Sequence, residues 1–281
     1  MAIRIITDTA SDFSVEQANT LGVGLVPMTI THMGKTYRCE YDLSRSVFYK
    51  LLTETDEVPK TSQPSPQDYL EKFLEAKKAG DEVLCICISS ALSGTFQSAQ
   101  IAKMEAEYDA IHLFDSKTGT AAQMLLVKEA VRMAEEGCSA EQIADHLASL
   151  RNRMELCAAL NTLEFLYKGG RITRAAAGAG SIMRIKPVVE VTDEGTVEVV
   201  GKSMGAKKAF DSLVQMIRKD EFDPAYEPIF LYSHDASVCH KLMDAFGIPQ
   251  ENREDHMVEI GATIGTHTGP GLYGLVYVRK D

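Results

Sequence analysis

The chain has 281 residues, 45% of them apolar and 25% charged, and its net charge is −11. That length allows one large domain or two ordinary ones, with enough apolar residues for a substantial core. The acidic balance excludes a general nucleic-acid binder, which needs a basic face, and a polybasic membrane anchor, while leaving room for a locally positive pocket.

Ile3-Arg4-Ile5-Ile6-Thr7 predicts a first strand that ends in Asp8-Thr9-Ala10-Ser11-Asp12, with a helix from Ser14 to about Leu21. Acidic and hydroxyl residues at the end of a first parallel strand lie where α/β sheets place ligands. Asp12 or Ser14 serves equally well as a helix cap. Val23 to Ile30 reads as a strand, Met33-Gly34-Lys35 as a turn into Thr36-Tyr37-Arg38, and Ser44 to about Glu54 as a helix with Phe48, Leu51 and Leu52 on its apolar stripe. The two prolines in Pro59-Lys60-Thr61-Ser62-Gln63-Pro64 predict a stiff extended segment. Ser65, Pro66 and Asp68 then read as N-cap, first helical position and capping partner. Thr61, Ser62 and Gln63 have no such structural duty, so they are candidates to line a site.

The stretch Cys85-Ile86-Cys87-Ile88-Ser89-Ser90-Ala91-Leu92-Ser93-Gly94-Thr95 organises the rest. An apolar run reads as a buried parallel strand. It breaks at small polar residues and re-enters a helical pattern at Phe96, Ala99, Ile101, Met104 and Tyr108. A strand that turns into a helix in this way aims several backbone N–H groups at one spot and favours an anion there. Ser93 adds a hydroxyl, and Gly94 allows close approach to the backbone. Ala110 to Phe114 is a further strand, followed by helices from Thr118 to about Glu136 and, with Ser139 and Gln142 as a capping box, to about Arg151. This alternation predicts a parallel sheet with helices on its faces.

The second half opens with a strand over Met154–Leu160, and Asn161–Tyr167 begins as a turn and winds into a short helix. Lys168-Gly169-Gly170-Arg171-Ile172-Thr173-Arg174 reads as a flexible basic loop, suited either to an anion or acidic partner or simply to solvent. A run of Ala and Gly over 175–180 follows, packed tightly or mobile. Lys186–Val191 and Thr196–Val200 predict a hairpin, Lys207–Arg218 a helix and Pro228–Tyr232 a strand. His240–Phe246 reads as helical and Met257–Ile260 as a strand. A Gly-rich turn over Gly265–Gly274 leads into a last strand, Leu275–Val278. The weakest stretch for a boundary is Leu150–Glu155.

Gly269-Pro-Gly271-Leu-Tyr-Gly274 matches the letters of the dinucleotide fingerprint but lacks the helix that must follow it. The six cysteines match no metal spacing, so they read as buried reduced thiols of a cytosolic protein. No signal peptide or membrane-length apolar run is visible. His267, between two threonines in a Gly-rich turn, is a candidate to donate to an oxyanion. A serine-dependent acyl hydrolase is the alternative reading: Ser93 as nucleophile, His267 as base, and Asp8 or Asp115 orienting it.

Taken in succession, six stretches resemble the DegV family of bacterial fatty-acid-binding proteins over essentially the whole chain. They are Thr7–Asp12, Thr61–Ser65, Ser90–Ala99, Asp115-Ser116, Leu163–Ile172 and Gly265–Gly271. The resemblance implies a two-domain α/β fold. Residues 1–153 would form a largely parallel sheet with flanking helices, and 154–281 a smaller mixed α/β domain closing over a lipid site. It implies a long-chain fatty acid as ligand, with Thr61, Ser93, Gly94 and His267 at the carboxylate. Arg171 and Thr268 would contact a partner or a transferred phosphate. It further implies no metal or catalytic residue, a cytoplasmic location, transient encounters with a membrane surface, and presentation of the carboxylate to a separate fatty acid kinase whose acyl phosphate serves phospholipid synthesis. Many members carry Arg just before the Gly that precedes Lys-Lys-Ala; here Met204 stands there.

Overall fold

The computed structural model describes residues 2–55, 57–177 and 185–280. In chain order the elements begin with β1 (Ile3–Asp8), α1 (Val15–Thr20), β2 (Gly24–Val26), β3 (Thr29–His32), β4 (Lys35–Arg38), α2 (Arg45–Glu54), β5 (Lys60–Ser62) and α3 (Pro66–Ala79). They continue with β6 (Glu82–Cys87), α4 (Thr95–Ala106), β7 (Ile111–Asp115), α5 (Thr120–Glu135) and α6 (Ala140–Arg151). The remainder comprises β8 (Met154–Ala159), α7 (Glu164–Lys168), α8 (Arg174–Ala177), β9 (Lys186–Val191), β10 (Val197–Ser203) and α9 (Ala206–Ile217). It ends with β11 (Ile229–Tyr232), α10 (Ser237–Ala245), β12 (Met257–Glu259), α11 (Ala262–Thr268) and β13 (Tyr273–Val278).

Three sheets result. The order β2-β1-β6-β7 is parallel throughout, β4-β3-β5 is antiparallel, and β10-β9-β8-β13-β11-β12 is mixed, with only its β11–β12 pair parallel. Strand alternation divides the core. In β6, Leu84 and Ile86 pack towards α5 and α6, while Val83, Cys85 and Cys87 pack towards α3 and α4. In the mixed sheet, Leu156, Ala158 and Val276 face α5, whereas Cys157, Tyr273 and Leu275 face α9 and α10. The face turned towards α5 carries the site.

Local capping sets several helix starts. Ser14, Ser44, Ser65 and Ser139 each accept a hydrogen bond from the amide three residues on, as their spacing predicts. Longer-range packing produces the departures. The strand expected over Val23–Ile30 splits at Pro27, which has no N–H to donate: β2 joins the parallel sheet and β3 the antiparallel one. The large-residue stripe of α4 is not its buried face. Met104 is 78% exposed, and the buried residues are Thr95, Ser98, Ala99, Ala102 and Ala106, small enough for the helix to lie close to β6. The Gly-rich turn expected from Gly265 begins as helix α11. Gly265 lets that helix touch α2, where a Cβ would lie 2.7 Å from both Phe48 Cε1 and Tyr49 Oη. Five of the cysteines are buried and unpaired, while Cys138 is partly exposed. Of the small-residue run, α8 holds the first part, and residues 178–180 lie outside the described residues. Among the described residues, no helix is long and apolar enough to cross a membrane.

Candidate functional site

A cleft runs between the loops at the ends of β5 and β6 and the inner face of the mixed sheet, with about 810 Å³ of empty space including its mouth. Most of its length is hydrocarbon: Leu156, Val189, Val191, Val197, Leu231 and Ile260 are among its walls. Thr61, Ser93, Arg171, His267 and Thr268 also line it, from four separate parts of the sequence.

Thr61 is held on β5, whose register places it opposite Ile30 of β3. Its Oγ1 lies 2.8 Å from His267 Nε2, and His267 Nδ1 is buried without a partner. A buried N–H without an acceptor is costly, so the imidazole proton belongs on Nε2. His267 then donates to Thr61, and the threonine hydroxyl keeps its own proton for a ligand. The ring is neutral: burial, and then the charge of Arg171, lower its pKa to about 3. Gly169 backs the ring so closely that a Cβ there would lie 2.1 Å from Nδ1.

Ser93 ends the loop after β6. Its hydroxyl lies 2.8 Å from Thr95 Oγ1 and accepts from Thr95 N at 3.3 Å, at the start of α4. Gly94, next to Ser93, has its Cα against Gln63, where a Cβ would lie 2.1 Å from Oε1. Gln63 in turn donates to Ser98 at 2.9 Å, so it pins the end of β5 to α4. Thr268 donates to Ile264 O at 3.2 Å, a bond internal to α11.

Arg171 corrects the picture of a loose basic loop. Its Nε donates to Leu92 O at 3.0 Å and one terminal nitrogen donates to Gly169 O at 2.6 Å. Both partners are neutral carbonyls, and no carboxylate among the described residues pairs with it. Burial lowers its pKa, yet an arginine stays charged. A half-buried cation without a counter-ion, beside hydroxyls and at an apolar cleft, is suited to an anionic head group on a hydrocarbon tail.

The acidic residues at the end of β1 and just beyond it serve structure. Asp8 accepts from Ala10 N and Ile88 N at 2.9 Å each, and Asp12 accepts from Gly261 N at 2.9 Å and from the Thr120 hydroxyl. Burial raises their pKa values to about 6 and about 7. Neither orients His267, whose Nε2 is taken by Thr61, and Asp115 is bonded to Ser90. The Ser–His–Asp arrangement of the hydrolase reading is therefore not formed. The sequence reading missed Thr120 and Thr263, which also line the cleft. Thr120 has a φ of 51°, a left-handed conformation that β-branched residues rarely adopt, and no local sequence pattern marks it. Among the described residues, no cluster of His, Cys, Asp and Glu is arranged to hold a metal ion.

Fold and site together define a three-sheet α/β protein with an apolar cleft ended by hydroxyls and a cation. The chain belongs to the DegV family: the family described as "Uncharacterised protein, DegV family" matches residues 2–280. A DegV domain-containing protein of Caldanaerobacter subterraneus subsp. tengcongensis is 33% identical over 279 residues, covering 99% of each chain. Among solved structures, a DegV family protein from Thermus thermophilus described by its fatty acid binding is similar at a TM-score of 0.85, with 33% identity and full coverage of both chains. A stearic acid-binding protein from Eubacterium ventriosum matches at a TM-score of 0.86 and 29% identity, over 100% of this chain and 99% of its own.

Proposed function

We propose that this chain binds a long-chain fatty acid, tail in the cleft and carboxylate at Thr61, Ser93 and Arg171, with His267 acting through Thr61. The observation that carries the reading is Arg171, which pairs with no carboxylate among the described residues, lining an apolar cleft together with two hydroxyls. Fatty acid binding by the Thermus thermophilus and Eubacterium ventriosum relatives supports it. Each buried methylene contributes about 0.8 kcal/mol, and each charge-assisted hydrogen bond roughly 1.5–3 kcal/mol. The tail therefore supplies most of the affinity and the head group fixes direction. The division into units 1–153 and 154–281 belongs to the same proposal, as does presentation of the carboxylate to a separate kinase whose acyl phosphate feeds phospholipid synthesis.

Displacement of a fluorescent fatty acid tests the site. Thr61→Ala and Ser93→Ala should each weaken binding by about tenfold or more without lowering the thermal midpoint appreciably. Wild-type affinity in both variants would remove these hydroxyls from the site.

A further inference from the structure

The β9–β10 hairpin walls the cleft with Val189, Val191 and Val197, yet its outer half is poorly held by its own sheet. β10 is the edge strand. The pairing of β9 with β8 covers Val188–Glu190 and stops there, and the register of β10 shifts between Val199 and Gly201. A bulge of this kind bends the strand that carries it. Between the outer half and β8 lies a small polar pocket bordered by Met154, Leu156, Val191 and Thr192.

The turn of the hairpin is seated instead on the first half of the chain. Gly195 is buried at a φ of 81°, and its carbonyl accepts from the Ser89 hydroxyl at 2.8 Å. A Cβ on Gly195 would lie 2.2 Å from Ser89 Oγ and 3.0 Å from Lys117 Cα, so the turn rests directly on the loops that follow β6 and β7. Ser89 is 0% exposed, and it also organises the loop that ends at Ser93. Its carbonyl accepts from Leu92 N at 3.0 Å and from Ser93 N at 3.1 Å, its Oγ accepts from Ala91 N at 3.2 Å, and its own N donates to Thr118 O at 2.8 Å. Leu92 O of the same loop accepts from Arg171.

We propose that Ser89 is a positioning residue that couples the two ends of the lipid site. Its hydroxyl seats the β9–β10 hairpin over the tail, and the same residue fixes the turn that presents Ser93 and supports Arg171 at the carboxylate. Recognition of the head group therefore depends on a seated tail wall. This deepens the fatty-acid reading and rests on it. Small displacements of a positioned hydroxyl cost much of its hydrogen bonding, so an unseated hairpin should reduce discrimination at the head group as well as contact with the tail.

Competition of hexadecanoic acid and 1-hexadecanol against a fluorescent fatty acid tests the coupling, because the two ligands share a tail and differ at the head. Wild type should prefer the acid by about tenfold or more. That preference should fall by about threefold or more in Ser89→Ala and also in Gly195→Ala, whose added methyl lies on the tail hairpin, 106 positions from Ser89. Val197→Ala trims the tail wall and leaves the Ser89–Gly195 bond in place. It should weaken acid and alcohol alike and keep their ratio within about twofold of wild type. A purely structural role would scale both affinities together, and a ratio taken within one variant is insensitive to the fraction folded. An unchanged ratio in Ser89→Ala would overturn the proposal. So would a ratio lowered in Ser89→Ala and unchanged in Gly195→Ala, since the hairpin would then have no hold on the head group. Wild-type protein that binds neither ligand would overturn the fatty-acid reading itself, and this inference with it.

Discussion

His267 influences the cleft through its neighbours. Its Nε2 is bonded to Thr61, and its other edge is pressed against Gly169. Gly169→Ala should therefore displace the ring, free Thr61 to rotate, and weaken fatty-acid displacement by about tenfold while leaving the far wall of the cleft intact. Unchanged affinity would show that the imidazole does not set the threonine. The same residue affects acid stability. Its pKa is held near 3 against an ordinary 6.5, so the unfolded chain takes up a proton there first. Its contribution to stability is present above pH 6.5 and is lost as the pH falls towards 3. Asp8 and Asp12 run the other way: with pKa values raised from 3.8 to about 6 and about 7, their contribution is present below 3.8 and is lost as the pH rises through 6 to 7. The thermal midpoint of His267→Gln, relative to wild type, should thus rise as the pH is lowered from about 7.5 to 4.5. Parallel curves would mean that His267 is not held neutral. At this scale the sequence was informative about residue types: Thr61, Ser93, Arg171, His267 and Thr268 all lie along one cleft. It was silent on partners, because a bond across 206 positions, as between Thr61 and His267, leaves no local pattern.

Elements were legible where their signals are local. Serine caps and a short apolar run act over a few residues, and they mark α1, α2, α3, α6 and β6. Helix α11 was not legible, because one glycine and three threonines within Ala262–Thr268 argue against a helix. Packing against α2 overrides that propensity. Gly265→Ala would raise intrinsic helix propensity, yet it should destabilise the protein by roughly 1–3 kcal/mol, since the added methyl meets Phe48 and Tyr49. A rise in thermal midpoint would contradict this. The segment around α7 and α8 divides in the same spirit. Arg171 is half-buried on two carbonyls, whereas Arg174 is exposed. Arg171→Ala should reduce lipid affinity. Arg174→Glu should leave it intact and, if the kinase reading holds, lower acyl-phosphate turnover with the partner enzyme.

At the scale of the whole molecule, the cleft belongs to no single sheet. Loops of the parallel and antiparallel sheets close one side, and the inner face of the mixed sheet the other. This is why its tail walls were unreadable in sequence: Leu156, Val191 and Ile260 look like ordinary core until the sheets are brought together. Leu156 and Val191 also border a small polar pocket containing Lys117, Arg151 and Asp193. They form the partition between hydrocarbon and polar space. Leu156→Ala should lengthen the cleft and shift preference in a mixed fatty-acid competition towards longer chains; an unchanged chain-length profile would place the end of the tail elsewhere. The most direct test of the account is the intact mass of the purified protein under native conditions, followed by extraction and identification of what it carried. One long-chain fatty acid per chain is the predicted result. An empty protein that also refuses added fatty acids would contradict it.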